Sequence, residues 1–209
     1  MDVSIVIAHE GHYRFAQQIC DTMEASAIIR GTGIAKRSPD YIVKKMENKD
    51  AVIAIVDGNF AGFCYIESWS HGKFVANSGL IVHPDYRNLG LAKKIKERVF
   101  EYSQEKYPGS KIFGITTGLA VMKINSDLGY KPVPFSELTD DPTFWNGCRG
   151  CTNFDILERK EYKMCLCTGM LYDPADKKQK EEQYTFNKIV LARLKSIKQA
   201  LFLKKEKTA

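Results

Sequence analysis

The chain has 209 residues, 44% of them hydrophobic and 27% charged, with a formal net charge of +6. This length supports one full core with an appendage and excludes two complete enzyme domains. The positive excess gathers near the C-terminus, in Lys177, Lys178, Lys180, Lys204, Lys205 and Lys207, without the interleaved aromatics of a nucleic-acid face, and no apolar run is long enough to span a bilayer.

Residues 3–7 read as a short strand rather than a signal peptide, so a cytoplasmic location with reduced cysteines is expected. A helix follows over 12–29, where Phe15, Ile19, Met23 and Ala27 recur at helical spacing. Arg30-Gly31-Thr32-Gly33-Ile34-Ala35-Lys36-Arg37 is a basic, glycine-bearing loop. Ser38 and Pro39 suit the N-cap and first turn of a second helix ending near 46. Three strands come next, over 51–56, 60–69 and 74–82, the first two joined by the hairpin signal Asp57-Gly58-Asn59.

The third of these strands runs into His83-Pro84-Asp85-Tyr86-Arg87-Asn88-Leu89-Gly90 and then a helix from Leu91 to about 106. The first turn of a helix presents unpaired backbone N–H groups, and the helix dipole adds positive potential there. Together they make a seat for phosphate or pyrophosphate. Gly90 permits close approach, Ala92 leaves the first turn unobstructed, and Arg87 and Lys93 can add charged contacts, with Asn88, Leu89 and Leu91 completing the turn. Beyond the breaker Pro108-Gly109-Ser110, a strand over 111–117, a helix over 119–128 stopped by Gly129, and an extended 130–135 are predicted.

The Arg87-x-x-Gly90-x-Ala92 pattern, set between a strand exit and an amphipathic helix, resembles the pyrophosphate loop of the GNAT acyltransferase superfamily. The order of elements over roughly residues 1–136 resembles that family too. The resemblance implies an α/β fold with a mixed, mostly antiparallel sheet splayed between its fourth and fifth strands. It also implies an acyl-CoA co-substrate, acetyl-CoA or succinyl-CoA, lying in the splay. An oxyanion contact from a backbone N–H among Leu80, Ile81 and Val82 is expected from the same likeness.

Ile115-Thr116-Thr117-Gly118 with Leu128-Gly129-Tyr130-Lys131-Pro132-Val133 resembles bacterial N-acetylglutamate synthases. The composite with Arg30-Gly31-Thr32-Gly33 and the cysteine tail looks like the stand-alone glutamate-acylating proteins of Bacteroidetes arginine synthesis. Two features depart from the synthases: Gly118 replaces an arginine, and the chain has no room for their amino-acid-kinase domain. The resemblance implies N-acylation of a small-molecule amine, glutamate first. Arg30, Lys36, Arg37 and Thr117 are then substrate-binding candidates, since two carboxylates need cationic partners. The alternatives are another small amine, a protein terminus, or a non-catalytic CoA-binding module.

Glu67 on the third strand is the candidate general base, against an exposed strand glutamate as the plain reading. Where many GNAT members place an acidic tyrosine, this chain has Asn125, which can hydrogen-bond the sulfur but cannot protonate it. Cys148-x-x-Cys151 and Cys165-x-Cys167 suggest a structural zinc site in a Cys-rich hairpin, against four ordinary thiols. His71 and His83 read as structural or solvent-facing, and Cys20 and Cys64 as core. The expected organisation is a GNAT domain over 1–145, a Cys-rich segment over 146–175 and a basic C-terminal helix over 176–209. Within that tail, Val190, Leu194, Ile197 and Leu201 give a helix that packs on its own domain or pairs with a second copy as a homodimer.

Overall fold

The structure is a computed structural model that describes residues 1–31, 36–176 and 184–195. Strand β1 (Val3–Ile7) leads through a 3-10 turn (Glu10–Phe15) into α1 (Ala16–Arg30). Helix α2 (Pro39–Glu47) starts as the sequence predicts: Ser38 accepts the Tyr41 N–H and Pro39 occupies the first turn. Then come β2 (Ala51–Val56), β3 (Asn59–Trp69), β4 (Phe74–Val82), α3 (Leu91–Lys106), β5 (Lys111–Thr116), α4 (Leu119–Asp127) and β6 (Lys131–Val133). The segment after β6 holds α5 (Pro142–Asn146), a 3-10 turn (Gly147–Gly150), α6 (Phe154–Arg159) and β7 (Thr168–Tyr172).

The seven strands form one sheet in the order β1-β2-β3-β4-β5-β7-β6. Pairing is antiparallel except between β4 and β5. Side chains alternate between the two faces of each strand. On one face Leu91, Ile95 and Val99 of α3 pack with Val52, Cys64, Val75 and Ile112. On the other, Ile19, Met23, Ile42 and Met46 of α1 and α2 cover Ile53, Phe63 and Tyr65. A third cluster gathers Phe74, Phe113, Phe135, Trp145, Leu157 and Leu171 around the segment that follows β6.

Two expectations need correction. The Cys-rich segment is not a hairpin; it is a 3-10 turn and a short helix leading into β7. Nor does the chain divide at residue 145, because β7 pairs with β5 from Ile112↔Tyr172 to Thr116↔Thr168 and with β6 from Lys131 to Val133. One compact unit therefore runs from Met1 to Tyr172, and a second covers Asp173–Ala209. In that second unit, residues 184–195 are helical with Tyr184, Phe186, Ile189, Leu191 and Leu194 exposed. The remainder of the expected tail helix, with Ile197 and Leu201, lies outside the described residues. No helix among the described residues is long and apolar enough to cross a membrane.

Candidate active site

The site begins where two parallel strands stop pairing. β4 and β5 are in register only through Phe74↔Lys111, Val75↔Ile112 and Ala76↔Phe113, although β4 runs on to Val82 and β5 to Thr116. From Asn77 and Gly114 onward the strands part. β4 also bulges: Phe63 faces Ile81 while Tyr65 faces Ser78, so Cys64 stands opposite both Gly79 and Leu80. Gly79 has φ +66°, and a Cβ there would lie 2.3 Å from Cε1 of Tyr65. Only glycine fits that backbone and that contact. A bulge leaves a residue out of the ladder, and here it interrupts the pairing beside the splay.

A cavity of about 530 Å³ occupies the splay. One half is walled by Asn77, Gly79 and Leu80 of β4, Lys96 of α3, Thr116 and Thr117 at the end of β5, and Asn125 of α4. The other half is walled by Arg37, Tyr41, Lys45, Tyr65, Glu67 and Trp69, and by the segment carrying Phe144 and the four cysteines.

Glu67 is buried, at 8% exposure, which excludes the plain reading of a solvent-facing strand glutamate. Its Oε1 accepts a hydrogen bond from Tyr41 Oη at 2.5 Å and lies 3.6 Å from Arg37 Nη2. Arg37 Nε donates to Tyr65 Oη at 3.0 Å, and the guanidinium lies 4.8 Å from the Tyr41 ring centroid. Burial works against the arginine's charge, but Tyr65 and Glu67 hold its pKa above the ordinary value. Burial, and then the Glu67 charge, push the Tyr41 and Tyr65 phenols up, so both remain protonated donors. Lys45 Nζ donates to the Ile66 carbonyl at 2.9 Å, and burial lowers its pKa. This half of the cavity thus offers one carboxylate, two cations and two phenols.

The other half holds the buried polar side chains of Asn125 and Lys96. Asn125 is 2% exposed, and its Oδ1 is buried without a hydrogen-bond partner. Lys96 is also 2% exposed; its Nζ donates to Asn77 Oδ1 at 3.1 Å and lies 5.0 Å from the Tyr130 ring centroid. Tyr130 Oη donates to the same Asn77 Oδ1 at 3.0 Å, and Asn77 Nδ2 donates to Ser103 Oγ at 2.8 Å.

At the head of α3, Gly90 is the left-handed N-cap, with φ +72° and nothing within 4 Å of a built Cβ. Asn88 is also left-handed, with φ 65°. The backbone therefore turns sharply, and Arg87, Asn88, Leu89 and Gly90 are all exposed at the start of a 16-residue helix. Arg87 Nη2 reaches Ser26 Oγ at 3.4 Å, and Lys93 pairs loosely with Glu97 at 3.9 Å. Leu91 and Ile81 turn their side chains into the core, which leaves them only backbone groups to offer a ligand.

Of the residues singled out in the sequence, Glu67, Arg37, Asn125, Thr117 and Leu80 meet on this cavity. Lys36 does not: its side chain is 81% exposed and pairs with Glu24 at 2.7 Å. The side chain of Arg30 and all of residues 32–35 lie outside the described structure. Nothing in the sequence marks Tyr41, Lys45, Gly79 and Lys96; each looks like an ordinary helix or strand residue until the fold places it.

Cys148, Cys151, Cys165 and Cys167 all line the cavity, but among the described residues no group of three or more His, Cys, Asp or Glu could hold a metal ion. The expected zinc site is therefore not supported. The sulfurs have other partners: Cys151 Sγ accepts from the Asn153 N–H at 3.4 Å, and Cys165 Sγ reaches the Asn153 carbonyl at 3.7 Å. Burial pushes the thiols of Cys148 and Cys167 up to about 11 and about 12. Cys148, Cys165 and Cys167 pack as small apolar groups beside Phe144 and Phe154.

The model of the acetyltransferase (GNAT) family matches residues 32–120. No curated protein matches the chain. Among solved structures, the N-acetylglutamate synthase of Neisseria gonorrhoeae, complexed with coenzyme A and N-acetyl-glutamate, is similar at TM-score 0.59 and 16% identity, over 83% of this chain and 35% of that one. The chain thus spans about a third of that synthase. A putative acetyltransferase of Salmonella typhimurium with acetyl-CoA is similar at TM-score 0.55 and 14% identity, over 83% and 94%. The diaminobutyrate acetyltransferase of Paenibacillus lautus, with L-2,4-diaminobutyric acid and coenzyme A, gives 0.55 and 10%, over 83% and 95%. The chain has the GNAT fold.

Proposed function

We propose that this N-acyltransferase of GNAT fold moves an acetyl or succinyl group from coenzyme A to the α-amine of a small acidic amino acid, glutamate first. The observation that carries the reading is a cavity at the β4–β5 splay walled by the buried Glu67, Arg37 and Tyr41, in a chain whose α3 opens on the exposed, left-handed Gly90 turn. Glutamate brings two carboxylates, and Arg37 and Lys45 supply cations on the acceptor side. The N-acetylglutamate synthase of the same fold, which holds N-acetyl-glutamate, supports this choice. N-acylated glutamate would place the enzyme in amino-acid biosynthesis, toward arginine.

On this reading each step falls to particular residues. The turn over Arg87–Lys93 holds the pyrophosphate through backbone N–H groups, and the pantetheine arm enters the splay. Backbone N–H groups at Leu80–Val82 face the thioester oxygen as it gains charge. The Glu67 carboxylate takes a proton from the acceptor amine, directly or through one water, while Tyr41 and Arg37 fix its orientation.

A steady-state assay of CoA release, run over the amino acids with acetyl-CoA and with succinyl-CoA, tests the reading. Turnover with glutamate supports it; coenzyme A binding without turnover on any amine overturns it. Glu67→Gln should lower kcat by about 10²–10⁴-fold with little change in acyl-CoA KM. Arg37→Ala should cost about 1.5–3 kcal/mol in acceptor binding, read as a raised glutamate KM at unchanged acyl-CoA KM. Equal effects on both substrates would show that Arg37 supports the fold rather than the acceptor.

A further inference from the structure

Breaking a thioester leaves negative charge on sulfur, and the donor half of the cavity must supply a proton or a cation to it. Asn125 can only hydrogen-bond. Glu67 stands on the other half and is paired with Arg37. Tyr130 is buried and gives its proton to Asn77 Oδ1. Among the described residues of the donor half (Asn77, Gly79, Leu80, Lys96, Thr116, Thr117 and Asn125), Lys96 is the one with a titratable side chain.

Its setting is unusual for a lysine. The side chain is 2% exposed, has Asn77 Oδ1 as its hydrogen-bond acceptor, and forms no ion pair among the described residues. A buried ammonium without a counter-ion is costly, and a transient anion in the same cavity would offset that cost. The same cavity is lined by Asn125, whose buried Oδ1 has no hydrogen-bond partner among the described residues.

We propose that the Lys96 ammonium stabilises the departing coenzyme A thiolate and then protonates it. The inference rests on the acyl-transfer reading. The amine nitrogen bonds to the thioester carbon, and the C–S bond breaks with its electron pair going to sulfur. One proton then passes from Lys96 Nζ to sulfur, giving CoA–SH and a neutral lysine. The amine's own proton leaves through Glu67, and solvent in the cavity recharges Lys96. Burial supports the role by bringing the lysine down to about 8, within reach of a thiol.

The first test needs no variant and no acceptor. The thiol of CoA bound to the wild-type protein is titrated by its thiolate ultraviolet absorbance, and should ionise at lower pH than free CoA. In Lys96→Met that difference should vanish. The variant should also lose about 10²–10⁴-fold in kcat with acceptor KM unchanged. Wild-type kcat should fall as pH rises through Lys96's ionisation, a limb that Lys96→Met lacks.

Folding of the variant is read from its melting curve. A lysine whose folded pKa is lowered leaves the unfolded chain binding more protons between about 8 and about 10.4, so Lys96 contributes stability that rises with pH across that window. The rise is read as the difference between wild type and Lys96→Met, because the raised thiols of Cys64, Cys148 and Cys167 and the raised phenols of Tyr41, Tyr65 and Tyr130 pull the other way in both. Lys96→Met should remove that rise. The proposal is overturned if bound and free CoA ionise alike in the wild type, or if folded Lys96→Met keeps its kcat. It is equally overturned if the variant loses turnover with succinyl-CoA alone, since Lys96 would then hold an acyl carboxylate. Failure of the acyl-transfer reading looks different: CoA binds and its thiol titrates, yet no amine is acylated.

Discussion

Gly90→Glu is expected to abolish measurable coenzyme A binding while leaving the sheet folded. Gly90 caps α3 with φ +72°, and nothing lies within 4 Å of a Cβ built there. A side chain at this position would therefore project from the exposed turn without disturbing the core. The backbone conformation disfavours any L-residue by about 1–2 kcal/mol, a cost that falls on the turn. The carboxylate itself would stand at the positive end of the helix, where the pyrophosphate is proposed to sit, and would compete for the same N–H groups while repelling the ligand. A loss of at least about 100-fold in affinity, about 2.8 kcal/mol, should be seen by calorimetry. Gly90→Ala separates the two effects, because it carries the backbone strain without the charge. If Gly90→Glu is folded and binds CoA as the wild type does, the anion seat is elsewhere.

Much of the framework behind that prediction is readable in the sequence because it is local. The strand exit at Val82, the N-cap at Ser38 and the helix stop at Gly129 are each signalled within a few residues. β7 is not. Thr168–Tyr172 is a five-residue run whose place between β5 and β6 depends on hydrogen bonds to residues about 56 and 38 positions away in the chain. Periodicity cannot report such pairings. The Cys-x-x-Cys and Cys-x-Cys spacings suggested metal for a related reason: spacing fixes how near two sulfurs can come, but not whether the backbone of Asn153 occupies them first.

The site divides along the same line. Glu67 and Arg37 stand out because carboxylates and arginines on such elements invite attention. Yet Lys36 and Arg37 were alike in sequence, and the fold sends one out to Glu24 and the other in to Glu67. Lys96 was hidden by its neighbours. Lys93, Lys94 and Lys96 look like one solvated face, but Ala92, Lys96 and Ser103 continue a helical column beside Leu91, Ile95 and Val99, and that column faces the sheet. A buried lysine among apolar periodic positions was the available signal.

Gly79→Ala should damage stability and catalysis together, and more than any other single methyl added to this chain's left-handed glycines. The added Cβ would lie 2.3 Å from Cε1 of Tyr65 and 2.9 Å from Cε of Met23, in a backbone at φ +66°. Methionine can move aside, but the tyrosine ring is held. It accepts a hydrogen bond from Arg37 Nε at 3.0 Å and packs edge-on against Tyr41 with centroids 5.8 Å apart. Strain of about 1–2 kcal/mol and overpacking of about 1–3 kcal/mol sum to roughly 2–5 kcal/mol. For a chain of this size that is a fall in Tm of roughly 4–20 °C. Chemistry should suffer as well, because the only way to relieve the clash is to shift the bulge that carries the Leu80 N–H or the ring that positions Arg37. A kcat lower by about 10–100-fold in protein that is still folded at the assay temperature is the expected result, in line with the cost of small misplacements at a reacting centre. Gly72→Ala supplies the comparison, since Gly72 is also left-handed at φ +82° but has nothing within 4 Å of a Cβ. It should show the strain alone, with catalysis intact. Equal melting shifts for the two variants, or full activity in Gly79→Ala, would mean that the bulge and the Tyr65–Arg37 contact do not shape the acceptor side of the cavity.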